Sequence, residues 1–422
     1  MFQVLSSSWA LLLGVMFLMV GNGLQGTLLG IRGGIEGYST LWMSVIMTGY
    51  FIGFLGGSRL APAMIRRVGH VRVFAALGSF ISAIMILYPV VVDYPSGWFI
   101  GRVLIGFCFS GVYVTAESWL NDAADNENRG KALSIYMIVQ MVGIVSAQAL
   151  LAFGDPSGYT LFIIASVLVS ISFAPILLSV VPIPAFERTE PLSLLELWRI
   201  SPLGIVGIFL LGSVFAVQFG MSAVWGLQAG LSVREISVFV SMIYVGALVL
   251  QYPVGWLSDR MDRRVLIFAI AVLGGGGALL GVLAGDYFPL LVLAGFMVGG
   301  TSNPLYALLI AYTNDYLEHD QMAAASGGMI FASGVGAIGG PLVLGWGMDF
   351  VGAGAYFGLL ALLMLGVAGY ALWRMSQRPA HQTDATGAYA PVFPQASPAA
   401  VEFAQEVAIE AALDEEDTQN RH

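Results

Sequence analysis

The side chains able to do chemistry in this 422-residue chain are few, and several fall in regularly spaced runs. Asn22, Gln25 and Arg32 are separated by 3 and 7 residues, and Arg102, Gly106, Phe109, Tyr113 and Glu117 by 4, 3, 4 and 4. Each set therefore lies along one face of a helix with its period of about 3.6 residues. Gln218 and Trp225, and Asn303 with Tyr306, make comparable groupings further along. Amides, phenols and a guanidinium hold a small solute by hydrogen bonds and charge, and two arginines with no acid at mid-stripe lean toward a polar or anionic one. Glu117 is the one carboxylate deep in such a stripe. Burial that raises its pKa would let it load and release a proton, while pairing with Arg129 or a nearby arginine explains it equally well. A different cluster, "GWLSDRMDRR" at 255–264, interleaves Asp259 and Asp262 with Arg260, Arg263 and Arg264.

Other chemistries lack their residues. Cys108 is the lone cysteine, and His70, His319, His381 and His422 lie in expected loops or the tail, so neither a metal site nor a Cys/His nucleophile is expected. No clustered nucleophile and base argues for an enzyme, and no cofactor is implied. Lys131 is the sole lysine and no G-x-x-x-x-G-K-S/T loop occurs, which excludes ATP-driven transport by this chain.

The elements that position these residues follow from composition. The chain is 58% apolar and only 10% charged, against about a quarter charged in soluble domains. Its net charge of -9 is concentrated in residues 376–422, where eight acids face Arg378 and Arg421. Nucleic acid is not an expected partner; the lipid bilayer is. Twelve apolar stretches succeed one another, near 9–31, 39–63, 71–92, 97–119, 131–153, 159–183, 202–227, 235–257, 265–285, 287–312, 323–347 and 354–374. Each approaches the ~20 residues a helix needs to cross a bilayer, and helix is the conformation that satisfies such a backbone in lipid. The first stretch, without a basic leader, reads as a retained helix. Arginines gather in the even-numbered connections, which places both termini and those connections in the cytoplasm, with the chain as a multi-pass protein of the cytoplasmic (inner) membrane.

Sliding the chain by 193 residues aligns Gln25 with Gln218, Gly53 with Gly246, Arg67 with Arg260, Gly106 with Gly299, Tyr113 with Tyr306 and Gly143 with Gly336. This predicts two parallel six-helix halves, residues 1–183 and 201–375, joined by a cytoplasmic linker at 184–200 and followed by an acidic, disordered tail at 376–422. The expected fold class is an all-α membrane protein of twelve transmembrane helices in two pseudo-repeats, acting as a monomer.

"GWLSDRMDRR" resembles the loop signature G-x-L-x-D-R-x-G-R-R of the major facilitator superfamily, with Asp262 in place of the second glycine. "GRVLIGFCFSGVYVTAESWLNDAADNENRG" resembles that family's fourth helix and "GVGAIGGPLVLG" its eleventh; "AESWLND" is similar to the YcaD-like branch. The resemblance covers residues 9 to about 376. It implies a secondary transporter whose first, fourth, seventh and tenth helices line a central cavity, here Asn22, Gln25, Arg102, Tyr113, Gln218, Trp225, Asn303 and Tyr306. Interhelical hydrogen bonds worth on the order of 1 kcal/mol each would also explain Asn22, Gln25 and Gln218, and Arg102 is also within snorkelling reach of the outer surface.

The resemblance further implies that the loop aspartate latches the cytoplasmic side against a helix start of the other half. In the first half that position is Arg66, beside Arg67, and the facing loop has Met322 at the repeat position of Arg129 and Asp320 at that of Glu127. A reversed latch follows as an expectation, Asp259 with Arg129 and Arg66 or Arg67 with Asp320, beside the plainer reading of Arg66 as an orientation charge. The expected function is alternating-access transport of a small molecule, with or without a proton; a non-transporting receptor on the same fold and an uncoupled facilitator are the alternatives.

Overall fold

The computed structural model is all-helical and describes residues 2–123, 129–178, 192–317, 319–377, 389–392, 394, 400, 401 and 404. The side chains of 2–8, 122, 123, 129, 176–178, 319, 320 and 323 are outside that description. Six helices come first along the chain: α1 Phe2–Ile35, α2 Thr40–Val68, α3 His70–Leu87, α4 Pro95–Ala123, α5 Arg129–Phe153 and α6 Thr160–Leu178. The short α7, Leu194–Ile200, precedes α8 Pro202–Ala216, which runs through a π-helical turn at Val217–Met221 into α9 Ser222–Gln228. Then follow α10 Val233–Ser258, α11 Arg263–Leu283, α12 Phe288–Asn314, α13 His319–Val351 and α14 Ala355–Met375.

Among the described residues, 11 helical spans are long and apolar enough to cross a membrane, with Pro202–Gln228 counted as one. The sixth expected span is represented by a shorter apolar run, Thr160–Pro175, and its expected end at 179–183 lies outside the described residues. The helix starts are legible locally. Ser193 with Glu196 and Ser232 with Glu235 form capping boxes, and Asp262 caps α11 by accepting from the Arg264 amide. Gly69, at φ 86°, turns the chain sharply from α2 into α3, so His70 is the buried first residue of a helix rather than a loop residue. Large apolar side chains such as Phe80, Leu362 and Val343 face outward, which suits a hydrocarbon solvent.

The 193-residue spacing recurs in the packing. A Cβ on Gly53 would strike the Val103 carbonyl and one on Gly246 the Phe296 carbonyl; Gly106 lies against the Tyr50 carbonyl and Gly299 against that of Ile243. Gly143 meets the backbone of Met16 and Gly336 that of Phe209. These small residues let helix backbones cross closely, where the apolar solvent provides little drive for association.

The two sets of helices meet tightly at the end carrying Ile35 and Gln228. There Gly30 abuts Ala223, Gly34 abuts Leu227, and Ser44 packs on Gly345, leaving no room for side chains. Toward the opposite, arginine-rich end, the tail enters the bundle: Ala390, Val392, Ala400, Val401 and Ala404 are buried in the same apolar core. Disorder was expected there from acidic composition, but these five described alanines and valines bury apolar surface.

Candidate functional site

Helices α1 and α4 bring four of the predicted residues together. The Arg102 Nη1 donates to Gln25 Oε1 at 2.7 Å, and Asn22 Nδ2 donates to the Tyr113 hydroxyl at 3.0 Å. All four side chains are buried. The guanidinium stands 5.0 Å from the Tyr50 ring centre, a cation–π contact. Among the described residues Arg102 makes no ion pair, and its Nε and Nη2, with Gln25 Nε2 and Asn22 Oδ1, have no hydrogen-bond partner. Its full burial and its contacts with Gln25 and Tyr50 show that Arg102 is directed into the protein and does not snorkel outward, although a buried charge without a counter-ion is costly.

In the other half Gln218 sits on the π-turn and exchanges hydrogen bonds with Ser302 at 3.2 Å. Such turns are frequent at functional positions. Asn303 donates to the Gly299 carbonyl of its own helix at 3.1 Å, and Tyr306 is fully buried. Trp225 stacks on Tyr356 at 4.8 Å and packs on Phe239 and Phe357. Trp225 is thus part of an aromatic cluster within its own half, separate from the Arg102 group.

Between the halves lies an aromatic layer that the polar stripes did not reveal. Tyr50 and Phe51 on α2 meet Phe219 and Phe215 at 5.3 and 6.2 Å. Their spacing on α2 with Phe54 was the available signal, but aromatic stripes in an apolar chain are common. A cavity of about 20 Å³ lies among Tyr50, Phe51, Phe54, Phe215, Ser333 and Pro394, space for little more than a water. A larger one of about 410 Å³ opens between α5 and α10 near the arginine-rich end, beside Met137, Gln251, Gly255, Asp259, Arg260 and Tyr389. Its volume falls within the range of about 300–1,000 Å³ typical of ligand sites. The eight side chains expected in the cavity line neither space.

At the rim, Arg263 is buried in an ion pair with Asp315 and lies 3.7 Å from Asp259. Asp262 takes Arg264 at 2.7 Å. Burial pushes the Asp262 carboxyl up, but hydrogen bonds from the Arg264 side chain and amide, with the arginine charge, outweigh this and hold it below its ordinary pKa. Arg260 lies over Trp256 at 4.4 Å, and Arg66 and Arg67 are exposed at the end of α2. The side chains of Arg129 and Asp320, on which the reversed latch depends, lie outside the described residues. Asp259 accepts from the Tyr389 amide at 2.9 Å. Glu117 is buried on α4 and accepts from the Tyr136 hydroxyl at 3.1 Å. Among the described residues no group of three or more His, Cys, Asp or Glu is placed to hold a metal.

Apolar helices turned outward around buried amides, phenols and an arginine define a multi-pass helical membrane protein. The sequence model of the Major Facilitator Superfamily matches residues 11–232 and 203–409, and the chain belongs to that family of membrane transporters. It is 24% identical over 337 residues to the uncharacterized MFS-type transporter YcaD of Escherichia coli O45:K1 (strain S88 / ExPEC), covering 78% of this chain and 86% of that protein. Its fold is similar to that of a mutant of the nucleoside transporter NupG, with TM-score 0.75 and 13% identity over 87% of this chain and 99% of that one. The E. coli fucose:proton symporter FucP aligns with TM-score 0.56 and 14% identity, over 86% of this chain and 98% of its own.

Proposed function

We propose that the chain is a secondary transporter that moves a small polar or anionic solute across the cytoplasmic membrane by alternating access of two related six-helix halves. The observation that carries this reading is Arg102: a guanidinium held inside the bundle by neutral Gln25 and the Tyr50 face, with two nitrogens unspent among the described residues. An intramembrane charge marks a substrate or coupling route unless paired, and a carboxylate or other acceptor on a solute would complete it. The glycine crossings repeated at 193 residues support two related halves of one orientation, twelve spans in all, with the arginine-rich end and both termini in the cytoplasm. A small polar solute also matches the nucleoside and fucose named for the fold neighbours. Glu117, buried against Tyr136, is the group proposed to load a proton.

The test is thermal unfolding of the purified protein against a metabolite library, followed by flux in liposomes. A solute at 100 times its Kd stabilises by about 2.7 kcal/mol, and that gain should vanish in folded Arg102→Ala and Gln218→Ala proteins. A binder that is never transported would make the chain a receptor, and transport indifferent to a pH gradient would make it an uncoupled facilitator. A binder insensitive to both substitutions would remove this site.

A further inference from the structure

The tail is seated in a socket. The Tyr389 amide donates to Asp259 at 2.9 Å, and its hydroxyl accepts from Gln251 Nε2 at 2.7 Å and donates to the Pro304 carbonyl at 3.4 Å. Gly255 makes the space for its ring, since a Cβ there would come within 2.7 Å of Tyr389 Cδ1. Burial and the Asp259 charge push the phenol's pKa up, Arg263 opposing them, so the hydroxyl remains a neutral donor. Two residues on, Pro391 borders the larger cavity with Tyr252 and Trp256. Pro394 reaches the smaller one, against Tyr50, Phe51, Phe54 and Phe215. Ala390 and Val392 are buried between these points.

This is a proline-rich segment laid along aromatic side chains and fixed by a tyrosine. Prolines three residues apart favour the extended polyproline helix, which loses little entropy on docking, and aromatic-lined grooves are its usual receptors. The segment ends beside Tyr50, whose ring covers the Arg102 guanidinium. It therefore occupies the route from the arginine-rich end to the polar cluster.

We infer that the vestibule at the arginine-rich end is a peptide-binding site for a Tyr-x-Pro-x-x-Pro segment, that its occupant is the chain's own tail anchored by Tyr389, and that tail and solute exclude one another there. The exclusion rests on the transport reading above; the binding site does not. Its recognition elements are Gly255 for the ring, Asp259 and Gln251 for the polar atoms, and the α2 and α8 aromatics for Pro394.

The full-length protein with Cys108→Ser and Ser333→Cys places one thiol beside Pro394. A bulky water-soluble maleimide should label it slowly. Tyr389→Ala removes the anchor, and Gly255→Leu fills the socket while leaving the tail intact; each should speed labelling about tenfold, the factor set by roughly 1.4 kcal/mol in a docked–released equilibrium. Gly276→Leu, where a Cβ meets nothing within 4 Å, should leave the rate unchanged. A synthetic peptide of residues 387–396, GAYAPVFPQA, should restore protection to the Tyr389→Ala protein, and a Tyr-to-Ala version should not. Unchanged labelling in the Tyr389→Ala and Gly255→Leu proteins overturns the inference, as does a peptide that gives no protection at any soluble concentration. Neither measurement needs a substrate, so accelerated labelling in a chain that moves no solute would keep the peptide site and remove the transport reading.

Discussion

Glycines 193 residues apart cross their helices alike, and the residues around them fill the crossings differently. Gly106 and Gly299 admit the same backbone contact, yet the first half buries Arg102 where the second has Gly295, whose missing side chain leaves space taken by Phe239. Asn22 corresponds to Phe215, and Tyr50 to Ile243. At the arginine-rich rim the asymmetry reverses: the second half holds the Arg263–Asp315 pair, and the first has a buried His70 in the place of Arg263. Repeated small residues thus maintain a shared scaffold. The buried arginines Arg102 and Arg263 stand where one copy departs from the other, because each buried guanidinium needs its own surroundings and only one copy has to provide them.

The largest expected effect is at the rim. Arg263→Ala takes the guanidinium from the buried Asp315 carboxylate, and breaking a buried pair from one side costs about 3–5 kcal/mol, read as a fall in thermal stability. A loss under about 1 kcal/mol would show that the rim pair is solvated, weakening the contrast between the halves. Next, Gly106→Val and Gly299→Val should each lose about 3 kcal/mol, because their contacts are backbone atoms that yield little. Strongly unequal losses would break the shared-scaffold half of the comparison.

Arg102→Met tests the opposite kind of residue. Removing a buried charge with no ion-pair partner removes its desolvation cost, so stability should hold or rise, while the roughly 2.7 kcal/mol of stabilisation by a saturating solute is lost. A protein destabilised by the change and still binding would make Arg102 a structural group. For the proposed latch, Arg66→Asp and Asp320→Arg should each lower flux about tenfold, a cost near 1.4 kcal/mol, and the double exchange should recover it. No recovery would leave Arg66 as an orientation charge.

The smallest effect concerns the helix cap at Asp262. Asp262→Ala should cost about 1 kcal/mol at neutral pH. Since the folded carboxyl lies below its ordinary value, this contribution is fully present above about pH 3.9, the unfolded pKa. It is lost as pH falls through the lower folded pKa. A pH titration of unfolding should therefore show wild type and variant converging only in acid; parallel curves would mean the carboxylate contributes nothing beyond the cap.

Hydropathy, the even-loop arginines and the 193-residue offset were legible in the sequence because each is a property of residues counted along the chain. The polar stripe of α4 was legible too, since helical spacing alone puts Arg102 and Tyr113 on one face, and α1 supplies Gln25 and Asn22 to them at 2.7 and 3.0 Å. Trp225 shared that spacing argument and went elsewhere, because three aromatics from α10 and α14 enclose it. Periodicity says which residues share a face but leaves open what the face meets. Likewise, Asp259 was recognised as a rim carboxylate, and only the tertiary structure decided that Tyr389, 130 residues away, would meet it. The tail's acids argued for disorder by composition, whereas its alanines, valines and prolines find a matching surface only once two halves have assembled to form one. What the sequence determined was an all-helical chain of apolar spans, which local hydropathy imposes; the tertiary structure decided the partners, because contacts across a hundred residues depend on shape that no local pattern carries.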